Sequence, residues 1–152
     1  MQKRQQSENE CERCETMSEK RKKGDDFDWV AARWNCSLTM VFEKLKAQVK
    51  SDVENIKSRR GISWVNEIEF TNNGNNFVVC LATASPGNIL DAVGFTLKEN
   101  EILITDKRDG ELFRAIPSID DDGDCILKVG EKECELWQVR KKALEKLFFR
   151  AA

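Results

Sequence analysis

The chain contains no histidine and no tyrosine. Histidine is the side chain whose unperturbed charge changes near neutral pH. Its absence removes the usual general base, the Ser/His and Cys/His nucleophilic pairs, and the commonest metal ligand. Carboxylate or lysine chemistry stays open, yet the composition points away from an enzyme. Also missing is any apolar run near the roughly 18 residues that a bilayer-spanning helix needs. The opening residues MQKRQQSENE lack the hydrophobic segment of a signal peptide. Neither sign of charge is in surplus: 27 acidic side chains stand against 25 basic ones, a formal net charge of −2. Nucleic-acid binding draws on a basic surplus or a basic face, so nucleic acid is not an expected partner. These absences lead to the expectation of a cytoplasmic protein without a transmembrane segment, whose six cysteines stay reduced.

What is present is enough for one domain, since 152 residues match the usual domain size. Residues 1–26 are polar apart from Met1, Cys11, Cys14 and Met17. Such a segment cannot bury enough apolar surface to offset the entropy of ordering, and a disordered tail is expected. The domain proper is placed at 27–152.

One long helix is expected to open that domain. Val30, Trp34, Leu38, Val41, Leu45, Val49, Val53 and Ile56 recur every three or four residues and form one apolar stripe. Asp25, Asp26 and Asp28 suit the positive end of the helix dipole, and Lys57, Arg59, Arg60 and Gly61 suit the other end. Lys50 and Glu54 are spaced to pair across a turn. A helix of about 30 residues is roughly 45 Å long. That is longer than a small sheet is wide, so part of the stripe should overhang and seek a partner.

From Ile62 the pattern changes to short alternating runs. SWVNEIEF places Trp64, Ile68 and Phe70 on one face and Glu67 and Glu69 on the other. The turn NNGNN (Asn72 to Asn76) suits a hairpin. FVVCLATA (Phe77 to Ala84) is apolar on both faces, as in a strand covered on both sides. Further strands are expected at 90–98, 101–106, 111–117 and 124–129, with a short one near 132–135. Their connections are short and polar, so neighbours should pair antiparallel. A last helix, roughly Leu136 to Phe149, turns Leu136, Val139, Ala143, Leu144, Leu147 and Phe148 inward. The expected class is α+β: a long N-terminal helix, an antiparallel meander of six to seven strands, and a C-terminal helix. Strands followed by an amphipathic helix carrying Trp137 are similar in layout to pleckstrin-homology-like curled barrels. That resemblance, over about residues 62–150, supplies the alternative architecture.

Several stretches invite a chemical reading. CERC holds Cys11 and Cys14 at a metal-ligand spacing, but zinc normally takes four Cys or His ligands. Cys36, Cys80, Cys125 and Cys134 are isolated in the sequence, and Cys80 lies in a strand run where a thiol acts as a small hydrophobe. A redox motif of the thioredoxin kind needs a strand before the CxxC and a helix after it, and residue 11 has no strand before it. DDDGDC (Asp120 to Cys125) resembles a calcium loop only superficially. Aligning Gly123 with the loop's invariant glycine puts Val129 where a bidentate Glu belongs, so the stretch reads as a hairpin turn with at most weak cation affinity. TDKRDGE (Thr105 to Glu111) is read as a tight hairpin. SPGN (Ser85 to Asn88) lacks the lysine of a phosphate loop. The run EKRKK (Glu19 to Lys23) reads as a solvated linker. Lys141, Lys142, Lys146 and Arg150 form a basic helix face, and Phe148 with Phe149 adds an apolar edge to it. Trp29, Trp34 and Trp64 are expected to fix the first helix against the sheet, with Trp29 just outside the main stripe.

No residue is therefore assigned to catalysis, to cofactor binding or to a metal, and no cofactor is expected. The reading that best fits is a non-enzymatic protein-interaction or assembly module with a protein partner, in the simplest case a homodimer. The alternative is a binder of a small ligand or lipid headgroup on a curled antiparallel sheet. Third comes an enzyme that uses carboxylates and a divalent metal.

Overall fold

The structure is a computed structural model and describes residues 26–60, 66–83, 88–108 and 110–149. The tail with Cys11 and Cys14, the EKRKK run, Trp64, most of SPGN and Arg150 lie outside these residues. Ten elements follow in order. Helix α1 is Trp29–Asn35 and helix α2 is Leu38–Arg60. Seven strands come next: β1 (Asn66–Asn72), β2 (Asn76–Thr83), β3 (Ile89–Leu97), β4 (Ile102–Asp106), β5 (Gly110–Ile119), β6 (Cys125–Val129) and β7 (Lys132–Cys134). Helix α3, Leu136–Phe149, is the last of the described elements. Among the described residues no helix is long and apolar enough to cross a membrane.

The strands form one seven-stranded sheet in which each strand pairs antiparallel with the next. The expected α+β meander is what the chain adopts. Short polar connections permit nothing else, because a parallel neighbour would need a long crossover. At the β1–β2 turn Gly74 takes a positive φ of 87°, and Asn72 Oδ1 accepts its backbone N–H at 2.9 Å. The sheet does not close: β1 and β7 remain its two edges. The curled-barrel alternative is thereby not realised as a closed barrel.

Strand alternation sends one set of side chains toward the helices. Ile68, Phe77, Val79, Leu81, Val93, Phe95, Ile102, Ile104, Ala115 and Leu127 are buried there against Phe42, Leu45 and Val49 of α2 and Val139, Leu144 and Leu147 of α3. At the centre the register opposes Phe77 to Phe95, whose rings stack with centroids 4.6 Å apart. Phe42 of α2 closes on Phe77 at 5.2 Å. Aromatic packing of this kind adds about 0.5–1.5 kcal/mol per pair beyond the area buried. A salt bridge from Arg140 Nε to Asp52 Oδ2 at 2.7 Å joins α3 to α2, and Arg140 also donates to Gln48.

Two expectations about shape are corrected here. The single long helix is broken at Cys36 and Ser37. Ser37 starts α2 afresh: its carbonyl accepts from Val41 N at 2.9 Å and its hydroxyl lies 3.4 Å from Met40 N, the position of an N-cap. Strand β2 was expected to be covered on both faces, but α2 and α3 contact the sheet from the side of Phe77 and Val79. Val78 and Cys80, on the opposite side, are only half-buried. Their cross-strand neighbours supply the partial cover: Gly94 stands opposite Val78, and Ala92 and Glu69 flank Cys80. The anticipated Lys50–Glu54 pair is also not formed, the pair on α2 being Lys46–Glu43 at 3.2 Å.

Candidate docking site

Helix α1 is where the long-stripe expectation fails most informatively. Asp28 caps it, its Oδ1 accepting the Ala31 N–H at 3.0 Å. None of its residues is buried. Trp29 is 64% exposed and Trp34 71%, and Val30 is exposed as well. At 100° per residue, positions 29, 30, 33 and 34 share one side of a helix. The result is an outward ridge of two indoles and a valine, interrupted by Arg33. Trp29 and Trp34 do not fix the helix to the sheet as expected, because the chain turns at Cys36 before the sheet can cover them.

That turn is held covalently. Cys36 and Cys125 form a disulfide across a sequence separation of 89. The expectation that all the cysteines stay reduced is wrong for this pair, and neither residue is as isolated as its sequence position suggested. Cys36 is fully buried at the elbow between α1 and α2, whereas Cys125 opens β6 and is exposed. Among the described residues Cys80 and Cys134 are free thiols. Burial pushes the Cys80 thiol above its ordinary pKa, and the charge of Glu69 beside it pushes in the same direction.

A second apolar feature lies at the far end of α2. Between its last two turns and α3 runs a groove of about 350 Å³. Ile56, Leu144 and Phe148 form its floor, and Trp137 and Phe149, 52% and 60% exposed, flank it. On the rim, Asp52 holds Arg140, and Lys141 holds Glu145 at 3.0 Å. Arg59 is bonded to a neutral group, its Nε donating to Asn55 Oδ1 at 2.8 Å. The rim therefore keeps a net positive character.

Comparison with known proteins found no matching family model, no matching curated protein and no matching solved structure. The site must be read from its own chemistry.

The other sequence candidates fall as follows. In the acidic turn, carboxylate oxygens of Asp120, Asp122 and Asp124 lie within 4.8 Å of one another. Asp120 Oδ1 accepts the backbone N–H groups of Asp122 and Asp124, both at 2.9 Å, so this carboxylate organises the turn itself. The basic helix face is partly committed: Lys141 pairs with Glu145, and Lys142 Nζ sits 5.4 Å from the Phe113 ring centroid. The expected hairpin between β4 and β5 is seen in the pairing of Thr105 with Glu111 and Asp106 with Gly110, with Arg114 gripping Glu111 in a bidentate pair on the exposed surface. That grip holds the Glu111 carboxyl below its ordinary pKa.

One gathering reached the sequence reading only through Lys142 and Lys146 of the basic helix face. A cleft of about 590 Å³ lies between α3 and the strand ends, with Val93, Leu112 and Leu147 in its walls. Asp91 and Asp106 meet there because β3 and β4 pair with Val93 opposite Asp106, and Lys132, Lys142 and Lys146 stand around the same opening. The signal was the shared parity of residues 91, 93 and 95 with 102, 104 and 106. It becomes readable only once the register is known.

Proposed function

We propose that this chain is an assembly module whose α1 ridge docks into the α2–α3 groove of a second copy. The observation that carries the reading is the pairing on one chain of an uncovered apolar ridge and an apolar groove that cannot meet each other. Helix α2 has 23 residues and is about 35 Å long. The ridge joins its first turn, and the groove is formed by its last two turns, so a chain cannot fill its own groove.

Charge supports the same pairing. The ridge is flanked by Asp26 and Asp28 against Arg33, a net negative sum, and the groove rim is net positive through Arg59. Complementary charge at the edge of an apolar contact fixes register and suppresses wrong partners. A two-fold arrangement makes the contact twice and closes it, as isologous dimers require. Tryptophan and arginine are the side chains that concentrate binding energy in interfaces.

Light scattering on the eluting protein tests the reading. The expected mass is about twice that of the 17.5 kDa chain. Replacing Trp29 and Trp34 together by alanine should return it to one chain. A native protein that elutes with the mass of one chain at every concentration removes the proposal.

The cleft beneath α3 favours a second reading, a small anionic ligand with an apolar portion held by Lys132, Lys142 and Lys146. Calorimetric titration with a medium-chain fatty acid probes it. Heat that vanishes in a triple lysine-to-glutamate variant is the expected result, and a flat titration of the native chain rejects it.

A further inference from the structure

We propose that the Cys36–Cys125 bond is a redox latch that holds α1, and the tryptophan ridge with it, in place on the domain, and that a dithiol reductant releases α1 without unfolding the rest. The release concerns the attachment of α1 alone. Only its consequence for association rests on the reading given above.

Three observations converge on the latch. First, α1 has little else to hold it. It is seven residues long with no buried residue, far shorter than the dozen or so residues at which isolated helices become even marginally stable in water. Second, the remaining core is complete without it. The buried cluster is drawn from α2, the sheet and α3, and Cys36 is the single member contributed by the elbow. Third, the bond is suited to being opened from its Cys125 end. Cys125 is exposed and offers a sulfur to an incoming thiolate, while Cys36 is buried. The Cys36 Sγ lies 3.3 Å from the Ser118 carbonyl oxygen. In the disulfide this sulfur carries no proton and the contact is not a hydrogen bond. After reduction the thiol S–H has that carbonyl as its acceptor, so opening the bond leaves no orphaned polar group.

One thiolate of the dithiol attacks Cys125 Sγ, the protein S–S bond breaks, and its electron pair leaves on Cys36 Sγ, which takes up a proton. The second thiol of the reductant then attacks its own sulfur in the mixed disulfide. Cys125 departs as a thiolate and is protonated, and the reductant closes into a cyclic disulfide. Two electrons pass from the dithiol to the protein pair.

The test follows amide hydrogen exchange by mass spectrometry on the full chain, oxidised and after treatment with dithiothreitol, together with a Cys36→Ser/Cys125→Ser variant. Tryptic cleavage after Arg33 is timed in parallel. On reduction, exchange in peptides covering Trp29–Asn35 and the Arg33 cleavage rate should each rise by about tenfold or more, as for a segment that opens locally. Peptides within α2 beyond its first turn, β2, β3 and α3 should stay protected over the times at which α1 exchanges, and the variant should match the reduced protein. Unchanged α1 peptides overturn the latch. So does loss of protection across the sheet and both long helices, which would make the bond a staple of the whole fold. The reduced native chain decides the matter if the variant fails to fold. Mass measured in the same two states separates the two proposals: α1 peptides that respond in a protein of single-chain mass leave the latch standing and remove the association.

Discussion

Helices α1 and α2 are drawn from one continuous apolar stripe and have opposite fates. In α2 the stripe runs from the half-buried Leu38 through Val41, Leu45, Val49, Val53 and Ile56, all buried, with Phe42 buried beside it. In α1 it is Val30 and Trp34, both exposed. Periodicity reports that a face is apolar, and only the extent of the sheet decides whether that face is covered. The difference separates the two helices: α2 packs with the sheet to make the core, and α1 displays surface.

The sharpest way to break this comparison is to truncate one aromatic in each helix. Phe42→Ala removes a fully buried ring from the Phe77 stack and should cost about 3–5 kcal/mol in urea unfolding. Trp34→Ala, an equally drastic change in size, should stay within about 0.5 kcal/mol when measured on dissociated protein. Comparable losses at the two sites would show that α1 belongs to the core after all.

Next in size is the covalent tie. Chain-entropy arguments assign about 4–5 kcal/mol to closing a loop of this length, and native bonds typically contribute about 2–4 kcal/mol. Global unfolding of the reduced protein should shift by that typical amount, while β2 and α3 keep their exchange protection under native conditions. A smaller effect is expected at the link between the two long helices. Asp52→Ala leaves Arg140 with Gln48 alone in a partly solvated setting and should cost about 1–2 kcal/mol.

The smallest effect is on pH dependence. Arg114 holds the folded Glu111 carboxyl below its unfolded pKa. Its contribution is therefore present above the unfolded carboxylate pKa and lost as pH falls through the folded one. Because the group is exposed, Glu111→Gln should flatten acid unfolding only slightly, below pH about 4. A large change would show that the hairpin is less exposed than the structure has it.

Much of the fold was legible beforehand. Hairpin turns with Asn, Asp and Gly marked the strand ends to within a residue or two, because turn chemistry is local. Helix α3 was equally plain from its spacing. The elbow at Cys36 was not, since the unbroken stripe on either side argued for continuity. The partnership of Cys36 with Cys125 was invisible for a different reason: the bond joins segments that approach only after β5 and β6 have paired. The groove was half legible. Phe148 and Phe149 drew notice as an apolar edge, yet its other wall comes from α2, and no local pattern announces which helices lie side by side.

The proposed association needs the ridge of one copy to seat in the groove of another, and a mixing experiment tests this most directly. Trp34→Asp spoils the ridge and keeps the groove, while Phe149→Asp spoils the groove and keeps the ridge. Each variant alone should sediment as a single chain, and an equimolar mixture at high concentration should recover a two-chain species through its one intact contact. Two variants that each associate as the native chain does, or a mixture that stays at single-chain mass, would contradict the account.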